Sequence, residues 1–152
     1  MPDVLTSPLF TLTLKVPKIQ SLGRTPLGER RVAVVSGGSF EGPKLRGTVD
    51  DGGSDWIIGH PDGALQLDVR LTLRTEDGQL IGMTYRGFRH GPAAVIARLN
   101  RGEAVDPGEY YFRIAPFFET ASERYGWLNR IVAVGLGHRL PEGPVYRVFE
   151  VL

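Results

Sequence analysis

At 152 residues, with 41% hydrophobic and 23% charged side chains, the chain has the size and composition of one folded domain and not of a disordered segment. Its 18 Lys and Arg face 17 Asp and Glu for a net charge of +1, and the basic residues are dispersed, so no field marks it as a nucleic-acid or membrane-surface binder. The absence of cysteine excludes disulfides, thiolate catalysis and cysteine-held metals.

The first residues, 1–10, carry no basic segment followed by an apolar run, and no stretch approaches the roughly 20 apolar residues of a membrane helix, so a cytoplasmic location is expected. The 20 Gly and 11 Pro recur along the chain and cut it into short segments, leaving little room for long helices. Strands are expected at 8–16, 31–36, 42–49 and 56–59, with 20–29 as a mobile loop that shapes an entrance. Gly37-Gly38-Ser39-Phe40-Glu41-Gly42 lacks the Lys of a phosphate loop and reads as a turn or bulge. The clearest strand is 64–75, where Leu65, Leu67, Val69, Leu71 and Leu73 alternate with Gln66, Asp68, Arg70, Thr72 and Arg74. Glu76-Asp77-Gly78 then supplies a tight turn, and 79–89 returns as the second strand of a hairpin. A short helix follows over 92–101, with Pro92 at its first turn and Val95, Ile96 and Leu99 as its apolar stripe. After a strand at 109–115, Thr120-Ala121-Ser122-Glu123 has the pattern of a capping box and predicts a second short helix carrying Tyr125 and Trp127. Strands at 129–140 and 145–152 complete roughly eight to ten, enough to close a sheet. The reading is a single all-β domain over 1–152, a closed antiparallel barrel with one or two short helices.

Several strands set Arg beside a hydrogen-bonding partner. Asp68 and Arg70 share the polar face of 64–75, and if that face looks inward they line a lumen. Tyr85 and Arg89 share a face with Gly87 between them leaving space, and Tyr111 and Arg113 share one opposite Tyr110 and Phe112. Buried guanidinium groups need carboxylates, for which Asp55, Asp68 and Glu119 are the candidates, and a purely structural ion-pair network is the competing account of the same residues. Asp55-Trp56, after the Asp50-Asp51-Gly52-Gly53 loop, suits an acid or base beside a stacking ring, or simply a turn cap beside a packed aromatic. Phe117, Phe118, Tyr125 and Trp127 either close the mouth or belong to the core. His60, His90 and His138 have no metal-site spacing, no serine elbow is present, and no nucleotide or flavin fingerprint appears, so no cofactor is expected.

These residues carry a family resemblance. Phe40-Glu41-Gly42-Pro43, Asp55-Trp56, Leu67-Asp68 with Arg70, Arg86-Gly87 with Arg89, Tyr110-Tyr111-Phe112-Arg113, Glu119-Thr120 and Trp127-Leu128-Asn129-Arg130 resemble the domain of unknown function 3237 family, also called uncharacterised protein family 0311. The resemblance runs from about residue 9 to 151 and implies a barrel similar to allene oxide cyclase and the lipocalins, with no substrate attached. The chain departs from the family pattern in having Val69-Arg70-Leu71 where Ala-Arg-Tyr is common and Tyr85 where Asn is frequent.

The function expected from the residues is binding of a small, partly apolar carbonyl, carboxylate or aromatic compound in the barrel. In the enzymatic version, a cofactor-independent isomerase, cyclase or lyase, Arg70, Arg89 and Arg113 hold oxygen atoms, Tyr85 or Tyr111 donates a hydrogen bond, and Asp55 or Asp68 moves a proton. Trp56, Phe117, Glu119 and Trp127 complete the expected binding set. The alternatives are a non-catalytic carrier or sensor, and a structural oligomerisation module. An inward polar face on 64–75 leaves its aliphatic face outside, so a homodimer or higher homo-oligomer is expected, without nucleic-acid or membrane partners.

Overall fold

A computed structural model describes residues 3–152 of the chain. Its strands are β1 (Thr6–Lys15), β2 (Lys18–Thr25), β3 (Gly28–Val35), β4 (Gly37–Glu41), β5 (Arg46–Val49), β6 (Gly53–Gly59), β7 (Leu65–Thr75), β8 (Leu80–His90), β9 (Tyr111–Glu119), β10 (Val132–Leu140) and β11 (Gly143–Val151), with one α-helix, α1 (Ala93–Asn100). All pairings are antiparallel, and the sheet of order β2-β3-β6-β7-β5-β4-β1-β11-β10-β9-β8 is closed by β7 against β8. Three pairs of short strands are long strands bent in the middle: β1 continues into β2, β3 into β4 across Ser36, and β5 into β6 across residues 50–52. With each bent pair taken as one, the molecule is an eight-stranded barrel in which every strand pairs with its chain neighbour and β11 returns to β1. Gly52 makes the last bend possible. Its φ of 106° lies where a side chain is strained, and its N–H reaches back to the Val35 carbonyl at 3.2 Å.

The strand at β7 settles which face of the alternating pattern looks inward. Leu67, Val69, Leu71 and Leu73 are buried inside the barrel, whereas Asp68, Arg70, Thr72 and Arg74 point out. This reverses the facing expected for Asp68 and Arg70. Each buried aliphatic contributes about 1.5–3 kcal/mol, whereas an inward Asp68 and Arg70 would each lose hydration that only an exact partner restores. The aliphatic face is therefore covered within the chain and does not require a second copy to cover it.

One end of the barrel is solid. Phe10 packs against Phe40 and Phe118 with ring centroids 5.5 and 5.9 Å apart, and Leu12, Leu73, Ile81 and Met83 fill the layer above with no exposed surface. Leu73→Ala is expected to cost about 2–5 kcal/mol, read as a lower urea midpoint with unchanged slope, because this layer has no freedom to collapse around a cavity.

Three local expectations are corrected. Residues 20–29 are not a mobile loop: β2 and β3 form a hairpin through them, in which Thr25 accepts a hydrogen bond from Leu27 N–H at 3.1 Å. Gly37 to Glu41 is a strand paired with both β1 and β5. The capping-box residues do not start an α-helix; the Thr120 hydroxyl donates to the Leu80 carbonyl at 2.7 Å, and a five-residue 3-10 turn, Gly126–Arg130, follows instead. Helix α1 and the 76–78 turn form as expected, the latter with Gly78 at φ 83°. No helix among the described residues is long and apolar enough to cross a membrane.

Candidate functional site

The other end of the barrel is open inside. A cavity of about 220 Å³ is lined by every strand except β4 and β5. Helix α1 roofs it. Leu99 and Asn100 from the last turn of that helix reach the cavity, and Val95 and Ile96 pack half-buried beside them, so the apolar stripe of the helix is what seats it on the mouth. The lower wall is aliphatic, from Val35, Ile57, Leu67 and Val69. The polar groups come from five strands: Arg31 of β3, Asp55 of β6, Tyr85 and Arg89 of β8, Arg139 of β10 and Tyr146 of β11.

Alternation explains each position. On β8, Ile81, Met83, Tyr85, Gly87 and Arg89 face inward in turn, so the strand passes from core to site without changing face. Gly87 does not provide the open space expected beside Tyr85. A side chain there would strike Ile114 and the Arg113 carbonyl of β9, so the glycine serves close strand packing. On β10 the inward set is Ala133, Gly135, Gly137 and Arg139. Gly137 leaves room for the Phe112 ring, only 2.6 Å from where its Cβ would stand, and Phe112 in turn packs edge-on to Tyr146 at 5.3 Å. Tyr146 is also edge-on to Tyr85 at 5.3 Å, which brings the two phenols together at the cavity floor.

Asp55 sits where the β6–β7 ladder opens. Ser54 and Asp55 pair with Arg70 and Val69, and Ile58 and Gly59 with Gln66 and Leu65, but the residues between make no β6–β7 pair. In the gap the Asp68 N–H donates to Asp55 Oδ1 at 3.0 Å, and the Trp56 carbonyl accepts from Arg30 Nη1 at 3.0 Å. Among the described residues, Asp55 is the only acid on the cavity wall. Burial is the main reason its carboxyl is pushed up to about 6; the Asp68 N–H and the charges of Arg31 and Arg89 pull the other way, and the Asp68 charge adds to the rise. Burial, and then Arg139 and Arg31, bring the Arg89 guanidinium down to about 10, so it stays charged at neutral pH. Arg139 is lowered by burial as well, with its main-chain N–H held by the Tyr110 hydroxyl at 2.8 Å. Tyr85 and Tyr146 are both raised, by burial first, and remain protonated donors.

Of the residues expected to form the site, Asp55, Tyr85 and Arg89 meet at this cavity. Trp56 points outward beneath the Arg30 guanidinium, 5.7 Å from its ring centre. Asp68 and Arg70 lie on the outer wall. Tyr111 and Arg113 share a face as expected, but it is the outer one, where Arg113 covers the Tyr111 ring at 5.0 Å and His90 stacks on it at 4.8 Å. Phe117 and Glu119 are exposed farther along the same strand. Trp127 packs at the solid end under Lys44, and Tyr125 there donates to Asp77 at 3.2 Å, so neither closes the mouth, and Phe118 is core. Arg31, Arg139 and Tyr146 were not anticipated; inward alternation extended to the last residues of β10 and the first of β11 would have pointed to two of them.

Fold and cavity together define a closed antiparallel barrel with one solid and one hollow end. The chain belongs to the family described as Protein of unknown function (DUF3237), whose profile matches residues 5–151. UPF0311 protein RPA1785 of Rhodopseudomonas palustris is 34% identical over 151 residues, 99% of each chain, and the crystal structure of that conserved protein of unknown function superposes over the whole of both chains with a TM-score of 0.95. The crystal structure of a beta-barrel like protein from Acinetobacter baumannii is 37% identical, with a TM-score of 0.87 over 100% of this chain and 98% of that one. More distantly, the hydroalkoxylation enzyme phnH of Penicillium herquei is 28% identical over 113 residues, 74% of this chain and 60% of that protein.

Proposed function

We propose that the hollow end of the barrel binds a small, partly apolar compound with a carbonyl, carboxylate or phenolic oxygen and that Asp55 transfers a proton on it, in a cofactor-independent isomerisation, cyclisation or elimination. The carrying observation is Asp55 itself: a lone carboxyl on an otherwise cationic and phenolic wall, its pKa about 6. A group poised there is mostly ionised at neutral pH and close to the range at which general acid–base catalysis is most effective. Tyr85 and Tyr146, held protonated, are donors for an oxygen that gains negative charge, and the nearby guanidinium groups favour that charge. The aliphatic lower wall suits a hydrocarbon skeleton, and Leu99 and Asn100 of α1 cover part of the mouth.

The distant Penicillium relative supports a reaction of this class. Hydroalkoxylation adds an O–H across a carbon–carbon double bond, which requires one group to take the hydroxyl proton and one to return a proton to carbon. A single carboxyl of intermediate pKa serves both steps in turn. Native mass spectrometry of the purified protein, compared with the denatured spectrum, tests the reading, followed by incubation of any released compound and analysis by chromatography and NMR to catch mass-neutral products. Conversion that is lost in Asp55→Asn supports the enzyme; a compound recovered unchanged leaves a carrier.

A further inference from the structure

The charge balance of the cavity narrows the ligand beyond that reading, on which this inference rests. Three guanidinium groups, Arg31, Arg89 and Arg139, converge on a space with one carboxyl. A fold that needed these arginines only for stability would pair them, because a guanidinium withdrawn from water loses hydration for five donors. Among the described residues none of the salt bridges includes any of the three. Arg139 donates to the carbonyl of its neighbour Leu140. Arg89 is only 9% exposed, lines the cavity, and buries its Nε without any hydrogen-bond partner.

We propose that this cavity is built for a planar oxyanion, a carboxylate or an acidic enol, carried on a skeleton of one or two rings, and that Arg89 is its principal binding residue with Arg31 and Arg139 completing the cationic set. A planar anion with two oxygens answers the fork of donors on a guanidinium and supplies the acceptor that Nε lacks. It also balances the excess positive charge that the lone Asp55 leaves. The volume of about 220 Å³ lies just below the usual ligand-pocket range of about 300–1,000 Å³, which sets the upper limit on the skeleton. Neutral molecules of the same shape would fill the aliphatic wall but leave the guanidinium groups uncompensated.

Isothermal titration with benzoate and 2-naphthoate against benzamide and 2-naphthamide, at pH 6, separates these terms, since each amide copies the shape of its acid without the charge. At least one acid is expected to bind at least about tenfold more tightly than its amide, and Arg89→Gln is expected to bring that acid to the level of the amide. Arg70→Gln, on the outer wall, serves as the charge-matched control and should leave binding unchanged. Should Arg89→Gln prove unfolded by circular dichroism, Arg139→Gln is titrated in its place with the same expectation. Amides that bind as tightly as the acids would overturn the anion assignment and leave the cavity reading intact. Failure of all four compounds to bind at millimolar concentration would overturn both.

Discussion

Asp55→Asn is expected to lower turnover by about 10²–10⁴-fold and at the same time to stabilise the protein at pH 8. The two effects have one origin. In the unfolded chain the Asp55 carboxyl titrates at its ordinary 3.8, and in the barrel, chiefly because of burial, at about 6. Between these values the native state holds a proton that the unfolded state has released, so the contribution of Asp55 to stability falls as pH rises from about 4 to 6 and stays lost above it. A shift of this size corresponds to about 2–3 kcal/mol. Asparagine copies the neutral carboxyl, keeps an oxygen to accept the Asp68 N–H, and has nothing to ionise. The surrounding charges, Arg31 and Arg89 with Asp68 beyond the strand, are already contained in that pKa, and Tyr85 and Tyr146 stay neutral over the range. Urea unfolding at pH 4 and pH 8 checks the result: the variant curve should coincide with the wild type at the lower pH and lie above it at the higher. A variant that is less stable at pH 8 would mean that the arginines, and not desolvation, govern this carboxyl.

The barrel was legible where period two was strong and the turn chemistry explicit. The β7–β8 hairpin, with its aliphatic alternation and Asp77-Gly78, reads directly from the sequence, as does α1 behind Pro92. Alternation separates two faces but does not say which is inside. A pair of opposite charges on one face suggests a lumen, but the desolvation of Asp68 and Arg70 and the burial of Leu67, Val69, Leu71 and Leu73 together place that pair outside. The same physics hides the real site. Arg31 follows another arginine, so the pattern does not say which of Arg30 and Arg31 turns inward. Arg139 lies near the end of a strand whose other inward residues, Ala133, Gly135 and Gly137, are too small to mark a face, and Tyr146 sits in a run apolar on both faces. β2 escapes a pattern search because most of its residues are exposed, and the helix expected after Thr120 does not form because the Asn129 side chain takes both the N–H and the carbonyl of Thr120. Such partners exist only in the folded molecule.

A single methyl group is expected to do severe damage on β5, the strand that leads into the bend before Asp55. Gly47, on β5, lies so close to β7 that a Cβ would overlap the Arg74 carbonyl oxygen and stand 2.8 Å from Arg74 C and 2.9 Å from Thr75 Cα. All three are backbone atoms, so no rotamer change relieves them, and moving the strand would break its pairing of Gly47 with Thr75 and Thr48 with Arg74. Overpacking usually costs about 1–3 kcal/mol with side chains free to adjust. With only backbone to yield, Gly47→Ala should cost about 3–5 kcal/mol, which lowers the melting temperature by about 10 °C or more in a chain of this size. Gly126→Ala is the matched control: nothing stands within 4 Å of its Cβ and its φ is not positive, so its effect should stay within about 0.5 kcal/mol. Because β5 leads through residues 50–52 into β6, the displacement should reach Asp55, and ligand affinity in any folded fraction of Gly47→Ala should fall with stability. A Gly47→Ala protein that melts like the wild type would show that β5 and β7 can separate without opening the barrel, and that the position of Asp55 does not depend on their close approach.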